Sequence, residues 1–258
     1  MKTKLVILDW AGTSVDYGCF APVNAFNLAF RSCGMEPTVD EIRGPMGMLK
    51  RDHIRTMLEM PRLKEQWLLQ KGNLPDEAAV EEIYSVFEKS LMQSLGDYAS
   101  PKPGTVETVK KLREMGLHIG STTGYTDAMM EVVTKRAEEQ GYAPDAWFTP
   151  DSVGGLGRPY PYMIYKNMRQ FAISSVEEVV KVGDTVSDVK EGKQAGVCSL
   201  GLLEGSSVLG FTQEEYENLS AEEKAQALEK GRQLLLDAGA DAVLTNLSEL
   251  PKWLEENK

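Results

Sequence analysis

Leu5-Val6-Ile7-Leu8 runs without a polar interruption into Asp9-Trp10-Ala11-Gly12-Thr13. An apolar strand that ends in a carboxylate at a tight glycine turn belongs inside a sheet, with its charged tip at the sheet's rim. The same punctuation recurs along the chain. Residues 4–8, 117–121, 146–149, 179–182, 197–202 and 242–244 read as short strands, most of them bounded by Gly, Asp or Pro. Helices are expected at 105–115, before Gly116, and at 127–140, before Gly141. Strands alternating with helices imply an α/β fold, a doubly wound parallel sheet covered on both faces. Ligands bind such sheets at the carboxyl ends of the strands, where Asp9, Thr123 and Asp184 would project.

Between the first two strands lies a block of another kind. Val23, Phe26, Phe30 and Cys33 fall at helical spacing, as do Val80, Ile83, Phe87 and Leu91. Thr38 and Glu41 have the spacing of a capping box, and Gly44-Pro45-Met46-Gly47 breaks the chain before a helix expected near Met48. Residues 19–99 therefore read as a helical cap inserted into a core made of 1–18 and 100–258, with Ser100-Pro101-Lys102-Pro103-Gly104 as the return linker. Toward the C-terminus, Thr212 with Glu215 and Ser220 with Glu223 read as capping boxes of two acidic helices. Trp253 and Leu254 are expected to pack the last helix onto the sheet.

Composition narrows the partners. A net charge of -11 over 258 residues argues against a nucleic-acid or anionic-membrane surface, so an anionic substrate must be held by local positive charge or a metal. Cys19, Cys33 and Cys198 are too few for a disulfide framework and fit a reducing cytoplasm. The first apolar run is broken by Asp9 and makes neither a signal-peptide core nor a spanning helix.

Four further segments carry chemistry. In Gly120-Ser121-Thr122-Thr123-Gly124-Tyr125, a hydroxyl and backbone N–H groups at a helix start suit a phosphoryl oxygen, although an ordinary turn has the same composition. Arg158, in Gly157-Arg158-Pro159-Tyr160-Pro161, offers a planar fork for such oxygens just before a helix over 162–171; a solvated surface arginine is the alternative. Asp184 and Asp188, one helical turn apart after a buried-looking strand, suit magnesium, with Asp184 as ligand and Asp188 in support. The same pair also reads as a helix N-cap and an exposed first-turn acid. In the cap, Lys50 sits in Pro45-Met46-Gly47-Met48-Leu49-Lys50-Arg51-Asp52-His53. Apolar surroundings and nearby positive charge favour its neutral amine, which can form a Schiff base with a carbonyl compound; an ordinary surface lysine is the alternative.

The motifs Asp-Trp-Ala-Gly-Thr from Asp9, Pro-Met-Gly-x-Leu-Lys-x-Asp-His from Pro45, Gly-Ser-Thr-Thr-Gly-Tyr-Thr from Gly120, Gly-Arg-Pro-Tyr-Pro from Gly157 and Lys-Val-Gly-Asp-Thr-Val-Ser-Asp from Lys181 resemble those of the phosphonatases, the phosphonoacetaldehyde hydrolases of the haloacid dehalogenase (HAD) superfamily. The resemblance runs from Asp9 to about Gly210. Most phosphatases of that superfamily carry a second aspartate where this chain has Ala11, and that aspartate protonates an alcohol leaving group. The resemblance implies carbon–phosphorus cleavage of phosphonoacetaldehyde, giving acetaldehyde and phosphate. A carbon leaving group bound to Lys50 as an iminium departs as an enamine and needs no acid at position 11. It further implies Asp9 as nucleophile, and magnesium held by Asp9, the Ala11 carbonyl and Asp184 with Asp188 supporting. Thr123, Gly124 and Arg158 would bind the phosphoryl group, His53, Met46 and Tyr125 would flank the amine, and Cys19 would flank it or simply pack. A homodimer through the cap is implied as well. A phosphatase or phosphomutase acting on a phosphate ester, and a catalytically silent phospho-ligand sensor, are the competing readings.

Overall fold

The computed structural model describes residues 3–257. Its centre is a five-stranded parallel sheet in the order β2-β1-β3-β4-β5, from β1 (Leu5–Leu8), β2 (His118–Ser121), β3 (Val179–Gly183), β4 (Cys198–Leu202) and β5 (Ala242–Leu244). All-apolar β1 is an interior strand, with Leu8 level with Ser121 on one side and Val182 on the other. That register brings the carboxyl ends of three strands to one rim.

Successive side chains of a strand face opposite sides of the sheet, and β1 feeds two cores accordingly. Val6 and Leu8 join Leu112 of α6 (Thr105–Glu114) and Leu254 of α12 (Leu250–Glu256), with Trp253 packed against the same cluster. Leu5 and Ile7 join Ile164 and Met168 of α8 (Tyr162–Gln170) and Ala195 of α9 (Val186–Ala195). The sheet is thus covered on both faces, as expected of a doubly wound fold. The helix α7 (Asp127–Glu138) follows β2, while α10 (Gln213–Asn218) and α11 (Ala221–Asp237) separate β4 from β5; both of these start at capping boxes, on Thr212 and Ser220.

Residues 146–149, expected as a strand, do not form one. They hold a single bridge, Phe148 with Thr122, and one backbone bond to β2, Phe148 N to Ser121 O, beside that of the preceding Asp145 N to Ile119 O. The donors are three residues apart and the acceptors two, so the segment cannot keep a ladder register. The Asp145 carboxylate takes the Ile119 N–H that a strand carbonyl would have taken.

Between β1 and α6 lie five α-helices: α1 (Phe20–Ser32), α2 (Val39–Arg43), α3 (Lys50–Glu59), α4 (Pro61–Lys71) and α5 (Glu77–Ser94). The capping box of α2 on Thr38 and Glu41 is present. The apolar stripes of α1 and α5 meet, with the rings of Phe26 and Phe87 stacked 4.2 Å apart. The chain leaves the core through Asp16, Gly18 and Cys19, all at positive φ, and the Asp16 carboxylate accepts from the N–H groups of Phe20 and Ala21. Cys19, Cys33 and Cys198 are free thiols. Among the described residues no helix is long and apolar enough to cross a membrane.

Candidate active site

Asp9 extends β1 by one residue, its N–H donating to Val182 O at 3.0 Å. The loop then coils on itself, with the N–H groups of Thr13, Ser14 and Val15 all donating to Trp10 O. Position 12 must be glycine: its φ is +88, and a Cβ there would lie 2.3 Å from Asp184 Oδ2. That close approach lets the loop grip Asp184 from one side, Thr13 Oγ1 donating to Oδ1 at 2.9 Å, while the Ser207 N–H donates to Oδ2 at 2.7 Å. Ala11 is half-buried beside Asp9 and presents only a methyl.

Asp9, Asp184 and Asp188 are buried with carboxylate oxygens within 4.8 Å of one another, the only such cluster among the described residues. Burial first, and then its two acidic neighbours, push Asp184 up to about 8. Burial and Asp188 likewise raise Asp9, against the pull of Arg158. Asp188 is held low despite its burial, because Arg158 and Lys181 lie against it. Three buried carboxylates under mutual repulsion are a site able to bind a metal, and an all-oxygen donor set selects hard cations such as magnesium, calcium or manganese. The oxygens of Asp188 are already engaged: Oδ1 accepts from Lys181 at 2.8 Å and pairs with Arg158 at 3.0 Å, and Oδ2 accepts from Thr185. Thr185, not Asp184, is the N-cap of α9; Asp188 is a first-turn acid and the capping-box partner of Thr185, but it is buried rather than exposed.

Arg158 lies across the triad. Its Nη2 donates to Asp9 Oδ1 at 2.7 Å and to the carbonyl and hydroxyl of Thr122, each at 2.9 Å. Its Nε donates to Glu191 Oε2 at 2.9 Å. Burial works against this charge, but Asp188, Asp9 and Glu191 outweigh it and keep the guanidinium protonated.

The cap supplies the opposite wall. Lys50 opens α3 and is 3% exposed, its amine 5.0 Å from the centre of the Tyr125 ring and 5.8 Å from that of Phe26. Burial brings its pKa down from 10.5 to about 8, against the pull of Cys19 and Asp9. One helical turn on, His53 is stacked on Phe26 and its Nε2 lies 2.8 Å from Ile42 O. A carbonyl only accepts, so Nε2 carries the proton and Nδ1 is left as an acceptor; Nδ1 is buried with no protein partner. Burial and Lys50 hold His53 neutral. The Tyr125 hydroxyl is also buried without a partner.

Asp9, Ala11, Met46, Lys50, Thr123, Gly124, Tyr125 and Arg158 line one cavity of about 20 Å³, together with Cys19. Larger grooves, such as one of about 550 Å³ along α11, carry none of these groups. Asp184 and Asp188 adjoin the cavity through Asp9, and His53 through Lys50. Cap and core touch too closely for a side chain at two glycines: a Cβ on Gly124 would lie 2.8 Å from the backbone oxygen of Met48, and one on Gly47 would lie 2.4 Å from the side-chain Oγ1 of Thr185. Thr123 Oγ1 accepts the Tyr125 N–H and so shapes this loop. The sequence reading did not single out Lys181, Glu191, Arg43 or Ser207. Lys181 carried a signal, a lone cation inside an apolar strand; Glu191 has the spacing of any helical glutamate.

A family model described as haloacid dehalogenase-like hydrolase matches residues 3–196. A phosphonoacetaldehyde hydrolase from Lysinibacillus sphaericus is 51% identical over 251 residues, 97% of this chain and 93% of that protein. One from Bacillus cereus is 47% identical over 255 residues, 99% of this chain and 96% of that one. A crystal structure of a phosphonoacetaldehyde hydrolase-like protein from Oleispira antarctica superposes with a TM-score of 0.95 at 32% identity, covering 99% of this chain and 92% of that one.

Proposed function

Because the chain belongs to the phosphonoacetaldehyde hydrolase family of the haloacid dehalogenase-like hydrolases, we propose that it hydrolyses the carbon–phosphorus bond of phosphonoacetaldehyde to acetaldehyde and phosphate. The observation that carries this reading is the pairing of Ala11 with Lys50 in one cavity: a nucleophile with a methyl at the position of the general acid faces a buried amine with a pKa near 8.

Lys50, as the neutral amine, adds to the aldehyde and expels water to form an iminium. The acceptor Nδ1 of His53 and the hydroxyl of Tyr125, both buried without a partner, are available to handle the protons of that step. Asp9 attacks phosphorus, and the electrons of the breaking carbon–phosphorus bond flow into the iminium to give an enamine on Lys50 and an aspartyl phosphate on Asp9. The enamine takes a proton on carbon; water then releases acetaldehyde from Lys50, and water attack on the aspartyl phosphate releases phosphate. Arg158 and the Thr123–Gly124 loop hold the phosphoryl oxygens throughout. Magnesium would be held by Asp9, Asp184 and the Ala11 carbonyl, with Asp188 in support, and would supply neutralisation of the charge shared by nucleophile and phosphoryl group. Residues 19–99 act as the cap that encloses the reaction.

An esterase would need a proton for its alkoxide, and Ala11 has none to give. A silent sensor has no need of a lysine with a depressed pKa. The test is incubation with phosphonoacetaldehyde and magnesium. Acetaldehyde and phosphate should appear in equal amounts, and borohydride added during turnover should fix a two-carbon fragment on the Lys50 peptide. Faster turnover of a simple phosphate monoester than of the phosphonate would overturn the reading.

A further inference from the structure

Glu191 is a fully buried carboxylate that the reaction above does not use. It projects from the middle of α9 and takes no part in the acidic triad. Its Oε2 accepts from Arg158 Nε and from Thr122 Oγ1, each at 2.9 Å, with Lys181 Nζ at 3.8 Å, while Oε1 is buried with no partner. Burying a charge with half its hydrogen-bonding capacity unmet is costly, and a core position is filled more cheaply by an apolar side chain. The compensation lies in the geometry of Arg158. A guanidinium beside a carboxylate closes on it with two parallel N–H groups. Arg158 instead reaches Asp9 through Nη2 alone, and only Oδ1 of Asp9 accepts a hydrogen bond among the described residues.

We propose that Glu191 is a positioning residue that grips the Nε edge of Arg158 and prevents a two-pronged clamp on Asp9, leaving one oxygen of Asp9 free to attack and the guanidinium free to meet the phosphoryl group. The proposal rests on Asp9 as the nucleophile. Thr122 completes the brace, since its hydroxyl binds Glu191 and its carbonyl and hydroxyl accept from Arg158. Without Glu191 the arginine swings onto Asp9, and phosphate binding and turnover weaken together.

The test measures inorganic phosphate affinity by calorimetry in the presence of magnesium, beside kcat and KM. Glu191→Met fills the space but offers Nε no acceptor; it should weaken phosphate binding at least tenfold and lower kcat/KM further, with circular dichroism unchanged. Glu191→Gln keeps an acceptor oxygen and should recover most of both. In an Arg158→Ala background, Glu191→Met should cost no more than twofold in phosphate affinity, because the residue it positions is gone. If Glu191→Met does not fold, Glu191→Asp keeps the charge but draws the acceptor back from Nε, and should show the same tenfold loss. Undiminished phosphate affinity in folded Glu191→Met or in Glu191→Asp, or an undiminished loss in the Arg158→Ala background, would overturn the proposal. A wild-type protein that binds phosphate but releases no acetaldehyde would instead overturn the proposed reaction.

Discussion

Lys50 is set for its chemistry at the expense of the fold. Its pKa of about 8 against an ordinary 10.5 means that the folded chain binds its proton more weakly than the unfolded chain does. The resulting destabilisation is roughly 3 kcal/mol, fully present below pH 8 and relieved as pH rises from 8 to 10.5. Lys50→Met should therefore abolish turnover yet raise Tm at pH 7, with the gain shrinking towards pH 10.5; calorimetry across that range checks it. In the wild type kcat/KM should climb with pH up to about 8 as the amine is freed. Asp184 is costly for the opposite reason, a carboxylate pushed up to about 8 by burial and by its acidic neighbours. Magnesium should raise Tm and release protons on binding at pH 7, and EDTA should abolish turnover. Asp184→Asn should raise the metal-free Tm and remove most of the magnesium-induced shift, as thermal denaturation with and without the ion will show.

Arg43 shows how one short helix ties two parts of the chain together. From the end of α2 its Nη1 donates to Gly18 O at 2.8 Å and to Ser207 O at 3.1 Å, and Ser207 in turn donates its N–H to Asp184. Arg43→Met should cost about 1–3 kcal/mol by stranding those carbonyls, seen as a lower midpoint in urea. No periodicity announces such a residue, since its partners are 25 and 164 positions away. The legible features are those whose cause is local. Five of the six expected strands formed because three to five residues, nearly all of them buried, suffice, and the capping boxes on Thr38, Thr212 and Ser220 formed because both partners lie within one turn. Residues 146–149 failed because Asp145, just outside the apolar run, used its side chain in place of the ladder. Asp9, Asp184 and Lys50 were legible because each is a charge at the edge of an apolar segment. Glu191 was not, because what distinguishes it is the arginine it meets across the sheet's rim.

The chain as a whole carries a net charge of -11, yet its reaction cavity gathers Lys50 and Arg158 around Asp9, so the charge that receives an anion is local and enclosed. The enclosure is tight. Gly124→Ala would drive a Cβ against Met48 O, a backbone atom that cannot rotate away, and so prop the cap loop off the core. Displacing Lys50 from Asp9 by that ångström or so should lower kcat/KM roughly a hundredfold, and a lysine-reactive probe should label Lys50 faster. A space of about 20 Å³ holds about one water, whereas phosphonoacetaldehyde is several times larger. A molecule of that size fits only if cap and core part, so substrate entry and product release each require the cap to move. The tempo of turnover then belongs to the breathing of the molecule as much as to the bond being broken: added viscogen should slow kcat in step with the thickening of the solvent, while acetaldehyde and phosphate still emerge one for one.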